Sequence, residues 1–192
     1  MTYPSITNRG EFFSNHYLDA VVGGDLGDLR TAWDEAEDRS EPSARSSLRG
    51  AGSSFFAARA IASEATGDRA ADAIRSLNDV VLNALGFEPH RETLDLVRNT
   101  TDTLTLPVAA TANTGTGLWL VALDAGLADS ADDLFDVDGA QAAGEDAEQQ
   151  SAGLLLEPGQ RRGEKKRIET TADAVGELFA VDEPPRFVLV IG

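Results

Sequence analysis

The sequence predicts an α+β fold, a helical N-terminal half followed by a three-stranded meander, a helix and a final strand. Three observations carry this expectation. Residues 103–124 hold two apolar strand-like runs, TLTLPVAATAN and LWLVALD, joined by Thr-Gly-Thr-Gly. The first half of the chain is alanine-rich and places Ile74, Leu77, Val81, Leu82 and Leu85 at helical spacing. Near the end, the amphipathic stretch 168–180 gives way to the apolar run FVLVI.

The elements follow in order. Thr7 or Asn8 caps a helix, with Glu11 at capping-box distance from Asn8 and Phe12, Phe13, His16, Tyr17 and Ala20 on one face. Gly23-Gly24 is expected to end it, and Asp25 to cap a second helix bearing Leu26, Leu29 and Trp33. Charged residues from Asp34 to Pro42 read as a turn, and Ala44 to Ala65 as a long helix. Asp68 caps the next helix, which stops at Gly86. Glu92–Val97 is a strand with Leu94 and Leu96 on one side, and Leu104, Leu106 and Val108 share a face of the strand after it. Thr170 or Thr171 caps the last helix, packed through Val175, Leu178 and Phe179, and Phe187–Ile191 is the closing strand. This ordering divides the chain into a helical segment, 1–66, and an α+β core, 67–192.

Composition narrows the chemistry. No cysteine is present, which removes disulfides, thiolate metal sites and a cysteine nucleophile. No apolar run is long enough for a membrane span and the N-terminus has no signal-peptide pattern, so a cytoplasmic location is expected. The net charge is −17, from 33 acidic and 16 basic residues, and all the basic ones but Lys165 and Lys166 are arginine. Such a surface repels phosphate. It fits a halophilic host or a basic partner.

Residues 124–150 carry nine acidic side chains and no basic one, and read as an acidic loop. The run DDLFDVDG resembles a calcium loop, but Phe135 falls where an oxygen ligand is required. The one basic cluster is Arg161, Arg162, Lys165, Lys166 and Arg167, the candidates for touching a nucleic-acid backbone. His16 and His90 are the only histidines, far apart in sequence; His16 reads as structural and His90 falls in the linker Phe87–His90.

Two stretches carry a family likeness. The opening ITNRGEFFSNHYLDAVVGGDLGDLRTAWDEAE resembles the N-terminus of large bacterial and archaeal DNA adenine methyltransferases. These are of the fused restriction–methylase type, with phage-defence relatives in BREX and DISARM systems. The closing AVGELFAVDEPPRFVLVIG is similar to the segment ahead of their methyltransferase region. The resemblance implies a parent enzyme that modifies DNA with S-adenosylmethionine, with this chain as its non-catalytic N-terminal module. Partners would be the downstream methyltransferase domain or other defence subunits, with DNA bound through the parent. The family's glycine-rich cofactor loop and Asn-Pro-Pro-Tyr motif do not occur here, and Glu183-Pro184-Pro185-Arg186 is only a superficial echo, so no cofactor is expected in this chain. A strand that runs almost to the last residue likewise reads as the front of something longer.

Related fused enzymes open with a nuclease of the Pro-Asp…(Asp/Glu)-x-Lys type, whose order of elements resembles that of residues 68–191. Its carboxylates hold magnesium and its lysine helps to activate water. Against that pattern Leu106-Pro107-Val108 puts valine in the metal-ligand position, and the strand 118–125 offers Asp124 with no nearby lysine. Asp124 alone reads as a surface residue at a strand end. An active nuclease with a displaced site would need Asp124, Asp102 and Glu11 to converge. A third reading, an acidic protein-binding or DNA-mimic factor, rests on the loop 124–150.

Overall fold

The structure, a computed structural model, describes residues 14, 16–98, 102–115, 117–127 and 170–192, without the side chains of Asp68 and Asp102. It is mixed α+β, and the chain forms two compact units, Met1–Gly50 and Ala51–Gly192. Among the described residues no helix is long and apolar enough to cross a membrane.

In the first unit a π-helical turn, Tyr17–Val21, leads directly into α1 (Val22–Asp38). The expected stop at Gly23-Gly24 does not occur: α1 runs through both glycines, and Asp25 lies in its first turn rather than capping it. A helical glycine costs only about 1 kcal/mol against alanine, too little by itself to end a helix that its neighbours continue. The helix also continues past Asp34 and ends at a short turn containing Ser40, at φ +60°. Ser43 opens α2 (Ala44–Glu64) with a reciprocal cap: its hydroxyl accepts from the Ser46 N–H at 3.0 Å, and the Ser46 hydroxyl accepts from the Ser43 N–H at 2.9 Å.

The later turns of α2 belong to the second unit, where Phe55, Ala58 and Ala62 meet Ala73, Ile74 and Leu77 of α3 (Asp68–Ala84). The N-cap of α3 is Gly67, at φ +59°, where Asp68 was expected. Its C-terminus closes as a Schellman motif. The Gly86 N–H donates to the Asn83 carbonyl and the Phe87 N–H to the Leu82 carbonyl, with Phe87 packed on Leu82's cluster. Gly86 sits at φ +86°, a conformation that only a residue without Cβ adopts cheaply.

The expected meander is split between two sheets. β1 (Glu92–Arg98) pairs antiparallel with β2 (Asp102–Val108). At Ala109 the chain bends and continues as β3 (Ala110–Thr114), antiparallel to β4 (Gly117–Asp124). Ala109 holds the bend from both sides: its N–H donates to the Ala122 carbonyl, and its carbonyl accepts from the His90 and Arg91 N–H groups. The apolar run TLTLPVAATAN is therefore two strands, and the small side chains of Ala109 and Ala110, both fully buried, allow the close approach. β5 (Phe187–Ile191) adds parallel to β4, giving the order β3-β4-β5. It is partly covered rather than buried.

α4 (Thr171–Leu178) is the helix described between β4 and β5, capped by the Thr170 hydroxyl, which accepts from the Asp173 N–H at 3.0 Å. Its Ala174 and Leu178 join Leu104, Leu106, Val108, Val121 and Leu123 in one core cluster. Leu82 of α3 packs with Ala110, Leu120 and Ala122 in another, so successive residues of β4 feed different clusters. Phe179, expected to pack, is half exposed. The helix expected from Glu11, the acidic residues from 128 onward with the calcium-like run, and the basic cluster 161–167 lie outside the described residues.

Candidate functional site

Asp124 ends β4 and was expected at the surface; it is instead 9% exposed. Alternation along β4 puts it with Leu120 and Ala122, and there the α3 side chain that meets it is Asn78. The Asn78 Nδ2 donates to Asp124 Oδ1 at 2.9 Å and to the Ile191 carbonyl at 3.2 Å, joining α3, β4 and β5 at one point.

The other partner of Asp124 is Arg91, just ahead of β1. Its Nε donates to Oδ2 at 2.8 Å and its Nη2 to Oδ1 at 3.2 Å, a two-pronged pairing. Nη2 also donates to the Arg75 carbonyl at 3.0 Å. Nη1 stands 2.6 Å from Asp79 Oδ1, a contact held by charge, since the oxygen lies off the line of any N–H. Burial pushes the Arg91 pKa down, but the hydrogen bonds to Asp124 and the charge of Asp79 outweigh it and the net shift is upward. The backbone of Arg91 sits at φ +22°, at the edge of the left-handed region, where the Ala109 carbonyl accepts its N–H.

This arrangement leaves Asp124 little to offer a metal ion. Both carboxylate oxygens are engaged by Arg91, and one also by Asn78. A bound cation would have to displace a guanidinium from a mostly buried site. Val108, in the position of the nuclease ligand, is buried among the α4-side cluster, away from Asn78 and α3. Asp102 opens β2 opposite Arg98, six residues along the strand from Val108, which is about 20 Å at strand rise. Its backbone is thus far from the end of β4. Glu11 lies outside the described residues, as do Arg161, Arg162, Lys165, Lys166 and Arg167. Among the described residues no group of three or more His, Cys, Asp or Glu could hold a metal ion.

The histidines fall elsewhere. His16 is exposed at the start of the π turn. His90 is exposed too, its Nδ1 3.0 Å from the Glu88 carbonyl and its Nε2 near Glu92 and Thr111.

Sequence reasoning singled out Asp124 but missed Arg91, Asn78 and Asp79. A signal for Asn78 was present: it occupies a core position in the run Ile74, Leu77, Asn78, Val81, Leu82, and a polar residue on a buried stripe needs a partner. Nothing in the local sequence marks Arg91, because its role depends on the bend at Ala109. No protein-family model, curated protein or solved structure matches this chain.

Proposed function

We propose that the chain is a catalytically silent, nuclease-like module of a DNA adenine methyltransferase in a restriction–modification or phage-defence system. Its work is to support the methyltransferase domain or to dock a partner subunit, and DNA and S-adenosylmethionine are bound elsewhere in the parent protein. The observation that carries the silence is the commitment of Asp124 to Arg91 and Asn78. Hydrolysis at a metal needs carboxylates free to hold the ion and a group to activate water. The strand that would supply them offers one carboxylate, already neutralised, and no lysine. The link to methyltransferases rests on the likeness of the opening and closing stretches.

The test is incubation of supercoiled plasmid with the chain and magnesium or manganese, beside calorimetry with S-adenosylmethionine. Neither cleavage nor a stoichiometric binding site is expected. Metal-dependent cleavage that Asp124→Ala abolishes would replace this reading with a displaced-site nuclease.

A further inference from the structure

His90 stands where the two sheets join. Its backbone N–H donates to the Ala109 carbonyl at 3.0 Å, at the bend between β2 and β3, and Pro89 stiffens the chain just before it. A fixed backbone therefore aims the ring, although the side chain is 36% exposed. Nδ1 lies 3.0 Å from the Glu88 carbonyl, and Nε2 lies 3.2 Å from Glu92 Oε1 and 3.3 Å from Thr111 Oγ1. Glu92 opens β1 of the two-stranded sheet, and Thr111 belongs to β3 of the three-stranded one.

The donors and acceptors decide what each nitrogen does. A carbonyl only accepts, so Nδ1 carries a proton. In the neutral ring Nε2 is then a bare acceptor. Thr111 donates its hydroxyl to it, while the Glu92 carboxylate meets it lone pair to lone pair. A second proton, taken from solvent at the exposed ring, reverses this. Nε2–H now donates, and a carboxylate takes that hydrogen in a charge-assisted bond roughly twice as strong as a neutral one. One hydrogen does not serve both oxygens in full, so Thr111 gives up the ring.

The charged groups around the ring come from its own segment. Arg91 is turned to Asp124 and Asp79 of α3, and Glu88 meets the ring through its carbonyl. β3 holds no titratable side chain, β4 holds none before Asp124, and β2 holds only Asp102, at its far end.

We propose that His90 is a proton-operated switch between the two sheets: neutral, it accepts from Thr111 of β3; protonated, it releases Thr111 and donates to Glu92 of β1. Its window is about pH 5–8, where histidine changes charge. The side-chain tie across the sheets is closed at the upper end of that window and open at the lower. The switch uses none of the partners of Asp124, and the plasmid assay has no bearing on it.

Nitrogen NMR of the histidine rings in the full chain reads where the protons sit and in what proportion, with exposed His16 as a control in the same spectra. At pH 8 the proton of His90 is expected on Nδ1. At pH 6.5 the ratio of protonated to neutral His90 should fall about twofold or more in Glu92→Gln, the scale of an exposed charge pair. In Thr111→Val the ratio should rise, with His16 unmoved in both variants. Thr111→Ser, which keeps the hydroxyl, should show the ratio of the unaltered chain. Glu92 is exposed and Thr111 only partly covered, and circular dichroism checks that each variant keeps the fold. A proton on Nε2 at pH 8 would overturn the proposal, because the neutral ring would already be donating to Glu92. So would Glu92→Gln and Thr111→Val shifting the ratio in the same direction, or not at all.

Discussion

Arg91 makes three contacts at once, holding Asp124 of β4 together with Asp79 and the Arg75 carbonyl of α3, and that concentration makes it a sensitive position. Removing the cation leaves Asp124, 9% exposed, as a nearly buried carboxylate without a counter-charge. Breaking one side of such a pair costs roughly 3–5 kcal/mol. Arg91→Met, which keeps the length of the side chain, is therefore expected to lower unfolding free energy by about 3 kcal/mol in urea titration. Asp124→Asn should cost less, because an amide still accepts from Arg91 and leaves no uncompensated charge on the carboxylate side. If the two variants were equally stable to unmutated protein, the pair would be ornamental and Asp124 open to other ligands.

At the scale of elements, the joint between α1 and α2 is electrostatic where the sheet is apolar. Arg45 donates to Glu37 and Asp34, and the Ser43 hydroxyl donates to Glu37 as well. The Arg45 hydrogen bond, followed by that of Ser43, holds the Glu37 carboxyl at about 2, well below its usual 4.5. A lowered folded-state value means that ionised Glu37 stabilises this joint above pH 4.5 and that the contribution fades as pH falls from there through 2. Carbon-detected NMR of Glu37 should show the depressed midpoint, and Arg45→Gln should return it towards 4.5.

The elements themselves were largely legible. Periodicity placed α2, α3, β1 and β5 within a residue or two, and the cap of α4 was narrowed to Thr170 or Thr171, of which Thr170 serves. Two features were not. Gly23-Gly24 looked like a stop because local propensity cannot show that the following residues continue the helix. The division of the meander at Ala109 was hidden because β2 and β3 form one unbroken apolar run, and only the backbone partners on either side reveal the bend. The same blindness hid the partners of Asp124, whose chemistry was judged from neighbours in sequence when Arg91 and Asn78 come from the far side of that bend.

Over the whole molecule the net charge of −17 acts on every element together. Self-repulsion opposes the compact state, and salt screens it, with the Debye length falling to about 3 Å at 1 M. The melting temperature is accordingly expected to rise as salt is increased to about 1 M, and a flat response in scanning calorimetry would show that the acidic surface is not limiting. The parallel pairing of β4 with β5 adds a kinetic corollary. β3 and β4 are joined by a tight turn and meet within microseconds, whereas β5 reaches β4 only after the whole of 125–186 has been looped back. Until it does, one side of the apolar run Leu118–Leu123 is an open strand edge, and such an edge templates pairing with other chains. The interval before β5 arrives is the time in which newly folding copies aggregate, and the charge that strains the finished fold is what holds them apart while it lasts.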